Sequence, residues 1–362
     1  MDTREFQRIL NETVVPNNLP LEEQAAKSNM LYGYAKQHMP SALFRYRRCN
    51  ERSLDAFYHD KVWVSTGACM NDGFDSRLYV DKKEVFAWRD QLQNNELYEL
   101  LRKFFGDGMP LPDNIAALPG LEQRYKEILT MSSQQKEEYL NNLISFVFND
   151  ITAVMGAIAS ITQKSIKFCC LSEHIGSAYM WGQYADNETG FALAYDCRDL
   201  GSSVPPENGF PRSCSCLPMI YGDHRFQVPT DAVIAMLRYR LLNVVMTNSG
   251  YVQFAPAAAQ LILQAQPFPD TLLPTKISLF KSTDWRQEAE WRLFCFSNDN
   301  AFLTPAHASF TLKPTALYLG REISSIYEKI LSDIAREKGI RVYKMRLDDE
   351  SPTYELIAEP IS

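Results

Sequence analysis

Glu288 and Glu290 stand one residue apart in "LFKSTDWRQEAEWRLF" (279–294), with Arg286, Arg292 and two tryptophans beside them. On a strand that spacing turns both carboxylates to one face, with the two arginines in register. Carboxylates so close repel each other, and neighbouring guanidiniums offset the repulsion. Trp285 suggests a wall for a flat ligand, whereas the plainer alternative is a solvent-facing row of alternating charges.

A second group lies in "LFRYRRCNER" (43–52), four arginines in ten residues with aromatics between them. Arg45 and Arg47 alternate with Phe44 and Tyr46, and an arginine held at a strand end forks two hydrogen bonds to a phosphate or carboxylate. The alternative is pairing with Asp72, Asp75 or a late glutamate. Ser65 and Thr66 close the neighbouring apolar run "KVWVST" (61–66). The third group is "LSEHIGSAYMWGQYADNETGFALAYD" (171–196). His174 follows a strand end and has the chemistry of an acid or base, but no nucleophile elbow accompanies it and a structural role competes. Trp181 and Tyr184, three apart on a helix, face one side, where they pack in a core or wall a ligand.

Several classes are unsupported. Neither a G-x-x-x-x-G-K-[ST] loop nor a G-x-G-x-x-G turn occurs, so Walker and Rossmann nucleotide enzymes have no motif. The eight cysteines show no C-x-x-C, and "SCSCLP" alone is a weak metal half-site; reduced core thiols and no metal are expected. A formal charge of −7 over 362 residues is not the footprint of a protein that binds nucleic acid mainly through phosphates. The charged start "MDTREFQRILNETVVP" lacks a signal-peptide core, and no apolar run reaches membrane-span length, so the expectation is a cytoplasmic protein without a membrane partner.

The elements that must position these residues read as α+β. Residues 1–40 form a helical lead-in, and 41–362 one domain with helical insertions at about 82–160 and 229–265. Short strands are expected at "ALFRYRR", "KVWVST", "IKFCCLSE", "FALAYD", "WRLFCFS", "ALYLG" and "RVYKMRL". "SAYMWGQYA" and "SSIYEKILSDIAREKG" read as helices, the latter closed by Gly339. "LGSSVPPENGFPRSCSCLP" (200–218) reads as a surface loop or flap. The sheet is expected to be mixed or mainly antiparallel.

In order, "LFRYRR", "VWVST…MNDGFD", "MWGQYADNETGFALAYD" and "KSTDWRQEAEWR" resemble the bacterial family classed as domain of unknown function 2971, over roughly residues 41–320. The family's usual proline after Asn-Asp is Gly73 here. The order of these segments is more distantly similar to the ADP-ribosyltransferase superfamily, in which a first strand supplies Arg or His, a middle element an aromatic or Ser, and a late strand Glu. That similarity implies an ADP-ribosyltransferase-like fold and NAD as substrate. Glu290 would be the catalytic carboxylate, Glu288 would orient the acceptor, and Arg45 or Arg47 would grip the cofactor. Tyr184 or Trp181 would stack, with Ser65 and Thr66 on the ribose or amide and Trp285 as a further wall. It further implies a toxin or antiviral effector acting on a protein or nucleic-acid acceptor, restrained by a neutralising partner protein. Two other readings stand beside it: a metal-independent hydrolase or nuclease using His174 with Glu173 or Glu290, and a non-enzymatic nucleotide-sensing or protein-interaction module.

Overall fold

The structure, a computed structural model, describes residues 2–90, 121–148, 151–198, 200, 213–237, 269–296 and 305–361. The fold is α+β, built on a mixed, mostly antiparallel open sheet. Its strands are β1 (Leu43–Arg47), β2 (Lys61–Thr66), β3 (Lys167–Ser172), β4 (Phe191–Tyr195), β5 (Ser213–Pro218), β8 (Glu290–Phe296), β9 (His307–Thr311), β10 (Ala316–Leu319), β11 (Arg341–Leu347) and β12 (Leu356–Pro360). Two short parallel strands, β6 (Ile220–Gly222) and β7 (Phe280–Ser282), pair apart from it. The main path runs β12-β11-β10-β4-β1-β3-β2-β9, and β8 bridges β3 to β5. β10 and β11 are parallel; the crossover between them is the helix Ser325–Lys338, capped by Ser324 and ended by Gly339 at φ 67, a left-handed angle that glycine takes without steric cost.

One irregularity sets up everything that follows. β3 is paired along its length with β8 on one side, but its other edge is divided. β1 meets it at Phe44↔Ser172, and β2 meets it at Ser65↔Phe168 and Thr66↔Lys167. The sheet therefore forks where β1 and β2 part.

Side-chain alternation sorts the core onto two faces. Leu43, Val62, Val64, Cys169, Leu171, Trp291 and Leu293 join one cluster, which also takes in Phe57 of the helix Glu51–Tyr58 and Leu331 of Ser325–Lys338. Phe44, Tyr46, Ala192 and Ala194 join another with Met180 and Trp181 of the helix Ala178–Tyr184. The lead-in helices, Thr3–Glu12 and Leu21–His38, bury Phe6, Leu10 and Leu31 in a third cluster with Phe168 and Phe294. Helices Lys82–Asp90, Leu121–Thr130, Ser133–Phe148 and Ile151–Ser165 occupy the expected first insertion; of that region 91–120 lies outside the described residues, as does most of the second insertion, with helix at 230–237. No helix among the described residues is long and apolar enough to cross a membrane.

The expected loop at 200–218 is in part a strand. Ser213–Pro218 pairs with β8 from Ser213↔Phe296 to Pro218↔Trp291, while 201–212 lies outside the described residues. "SCSCLP" alternates Ser and Cys, but it closes a run rich in Pro, Ser and Gly and ends on Pro218, which hides the strand that β8 completes.

Candidate functional site

The late glutamates are not both on a strand. Ser282 Oγ accepts from the Asp284 amide at 3.3 Å and opens a 3₁₀ turn, Thr283–Glu288. Ala289 then takes φ 42, ψ 52, and β8 begins at Glu290. The left-handed residue reverses the alternation that the spacing predicts, so Arg286 is left exposed on the turn instead of in register with Arg292. Both carboxylates nevertheless meet, and they do so out of solvent, each 4% exposed.

What joins them is Lys281. Its Nζ donates to Glu288 Oε2 at 2.5 Å and Glu290 Oε2 at 3.1 Å, and lies 4.8 Å from the Trp285 ring centroid. Arg292, wholly buried, donates from Nε to Glu290 Oε1 at 2.7 Å and in bidentate fashion to Asp75 at 2.8 and 2.5 Å. Tyr184 donates its hydroxyl to Glu288 Oε1, and Asn71 Nδ2 donates to Tyr184 at 3.3 Å. The late segment, the middle segment and the turn after β2 thus close into one chain of contacts, Asn71–Tyr184–Glu288–Lys281–Glu290–Arg292–Asp75.

This network drives the two acids apart. Burial works against the charge on Glu290, yet Arg292 and Lys281 hold its pKa down to about 2. For Glu288 burial dominates, and with Glu290 nearby it outweighs Lys281 and raises the pKa. Burial opposes the charge on Lys281 too, but Glu290 and Glu288 hold its ammonium above the ordinary lysine value. Burial, with Glu288 beside it, raises the Tyr184 phenol. Paired acids with diverging proton affinities are the arrangement that divides labour in acid–base sites.

The arginines arrive from the other side of the sheet. Ser172 is the register partner of both Phe44 and Glu290, and directly opposed residues share a face. Phe44, Ser172 and Glu290 therefore lie on one face and Arg45 and Arg47 on the other. The fork lets both sets reach the same space. Arg45 Nη2 donates to the Trp63 carbonyl at 2.7 Å across it, while Arg45 Nη1 and Trp63 Nε1 are buried donors without an acceptor among the described residues. Arg52 sits 5.0 Å above the Trp63 ring. Burial, then repulsion from Arg45, lowers Arg47 to about 9. The alternative pairing of one of these arginines with Asp72, Asp75 or a late glutamate does not occur among the described residues; Arg292 and Lys281 hold Asp75 and the glutamates. Among the described residues neither Arg45 nor Arg47 has a carboxylate within 4.0 Å. Buried unpaired donors are rare enough to call for an acceptor.

Arg45, Arg47, Trp63, Ser65, Asn71, Tyr184, Lys281, Glu288 and Glu290 line one cleft of ≈ 200 Å³ at the fork. That is below the roughly 300–1,000 Å³ usual for small-molecule sites. Gly190 fixes its rim: a Cβ there would lie 2.1 Å from the Arg47 carbonyl oxygen, so only glycine lets the turn after Tyr184 close on β1.

Other expected residues fall elsewhere. Ser65 lines the cleft and shares a 2.8 Å hydrogen bond with His307 Nδ1. Thr66 is buried beside Cys69 and does not line it. Trp181 is 0% exposed, packs edge-on against Tyr46 and donates to the Ile175 carbonyl; it anchors its helix and cannot stack on a ligand. Trp285 borders a neighbouring hollow with Asp223 and Asp284. His174 is largely exposed and 3.5 Å from Glu173, outside the cleft lining. Sequence reasoning missed Lys281, Trp63 and Asn71. A lysine inside the apolar run "ISLFKS" was the one available signal for the first.

No curated protein and no solved structure matches the chain. The family match is narrower than the 41–320 that the motifs led one to expect, and excludes the arginine strand. Residues 180–293 match the family described as Protein of unknown function (DUF2971), a stretch that takes in Tyr184, Lys281, Glu288 and Glu290.

Proposed function

We propose that the fork binds NAD and that the protein transfers ADP-ribose from it to a macromolecular acceptor. The observation that carries this reading is the opposition, on one cleft, of a buried carboxylate pair and two guanidiniums that have no acid partner among the described residues. Breaking the bond between nicotinamide and ribose develops positive charge on the sugar, which a fixed anion stabilises without reorganisation. Glu290, ionised throughout the physiological range, is that anion. Glu288, its proton affinity raised by burial, takes the proton of the acceptor nucleophile as nicotinamide leaves with the bonding electrons. Arg45, Arg47 and the Trp63 N–H bind the pyrophosphate, Ser65 a ribose hydroxyl, and the Tyr184 ring flanks nicotinamide. A cleft of ≈ 200 Å³ encloses the reacting nicotinamide–ribose end and leaves the adenosine at the rim.

A binding module without turnover is the second reading, favoured by the fact that each oxygen of Glu288 and Glu290 already has a donor. Incubation with NAD and chromatography for free nicotinamide separates the two. Release that Glu290→Gln or Glu288→Gln abolishes, with the unfolding midpoint retained, supports transfer. Ligand-induced stabilisation with no nicotinamide and no labelled protein, RNA or DNA leaves the binding module. A toxin or defence role in the cytoplasm, restrained by a partner protein, follows from the transfer reading; its check is growth arrest on expression of the wild type and not of Glu290→Gln.

A further inference from the structure

Five of the cysteines, Cys169, Cys197, Cys214, Cys216 and Cys295, are buried together in the cluster on one sheet face. Within it Cys214 of β5 and Cys295 of β8 are register partners on antiparallel strands, with their sulfurs 2.8 Å apart. Directly opposed residues on such strands have Cα atoms about 4.5–5.5 Å apart, inside the range that a disulfide spans. A bond length of about 2.05 Å is then reached by side-chain rotation alone.

We propose that Cys214 and Cys295 are a modification site, oxidised to a cross-strand disulfide by a peroxide. One thiolate attacks the peroxide oxygen, giving a sulfenic acid and, for hydrogen peroxide, one water after protonation. The second thiol then displaces hydroxide from that sulfur, the S–S bond forms, and a second water leaves. Two thiols lose two protons and two electrons, and one peroxide takes them up to become two waters. Burial makes the step slow and dependent on local opening of β5, whose β-ladder partner among the described residues is β8 alone. The bridge covalently closes the chain between residues 214 and 295, which contains Lys281, Glu288 and Glu290. It needs no part of the proposed transfer chemistry.

The test treats the full chain, folded, with hydrogen peroxide, blocks remaining thiols under denaturant, and maps peptides without reduction. Exposed Cys69 reports that oxidant reached the protein. The expected result is a Cys214–Cys295 linked peptide, lighter than its two thiols by about 2 Da, that dithiothreitol removes. An accompanying rise in unfolding temperature disappears in Cys214→Ala and in Cys295→Ala, and either variant suffices if the other fails to fold. Recovery of both cysteines alkylated while Cys69 is oxidised overturns the proposal. So does a bridge from Cys216 to Cys197 in its place.

Discussion

Lys281→Met removes the one cation that touches both glutamates, and its cost can be worked from the contacts. Lys281, Glu288 and Glu290 have side chains 3–5% exposed, so solvent offers little screening. Removing one partner of a buried pair costs about 3–5 kcal/mol, because the other charge stays behind unpaired. Glu290 keeps Arg292, so Glu288 is the group that responds, and it does so by taking up a proton. A carboxyl whose folded pKa lies above its unfolded one stabilises the native state at low pH and loses that contribution as pH rises through the folded pKa. The deficit of the variant against wild type is therefore smallest at pH 5 and grows towards pH 8, by up to about 1.4 kcal/mol per pH unit. Glu290 in the wild type has the opposite sign, its contribution lost only as pH falls towards about 2. Urea unfolding of both proteins at pH 5, 6, 7 and 8 reads the difference directly. A deficit below about 1 kcal/mol at pH 7, or one that is flat with pH, refutes the account of Lys281 as the shared counter-ion.

Arg47→Ala is expected to weaken NAD or ADP-ribose binding about 10–100-fold, the worth of one charge-assisted hydrogen bond, and to reduce its salt dependence in calorimetric titrations. Gly190→Ala forces a Cβ against the Arg47 and Ala185 carbonyls at 2.1 and 2.8 Å. It should cost more than about 2 kcal/mol in denaturant unfolding and disturb binding through the backbone of β1. Ala289→Gly relieves a left-handed angle at φ 42 and should raise stability by about 0.5–1 kcal/mol, since strain of about 1–2 kcal/mol outweighs the added entropy of glycine.

Much of the frame was legible because the chain writes it locally. β1, β2, β3, β4, β8, β10 and β11 fall within a residue or two of the apolar runs that announced them, and Ser324 and Gly339 bracket their helix as caps should. β5 was not legible because its Ser-Cys alternation lies in a run rich in Pro, Ser and Gly, and β12 because "LIAEP" is short and becomes a strand beside β11. In the site, Arg45, Arg47, Ser65, Tyr184, Glu288 and Glu290 were readable as residue types, and the cleft does gather them. The route was not readable: the Glu-x-Glu spacing argued for a strand, and a single left-handed alanine did the work. Lys281 looked like any lysine near a turn, since its burial depends on two carboxylates and Trp285 arriving from later in the chain. Trp181 misled for a related reason, because helical spacing places it beside Tyr184 but not at the same depth.

Between its contacts with β1 at Ser172 and β2 at Phe168, β3 carries Cys169, Cys170 and Leu171 along the cleft with no strand on that edge among the described residues. A ligand that met that edge through its main chain would do so inside the protein, away from aggregation. Recognition through main-chain amides survives replacement of any side chain around it. Substitution at Arg45, Trp63 or Tyr184 would then leave that edge of β3 in place.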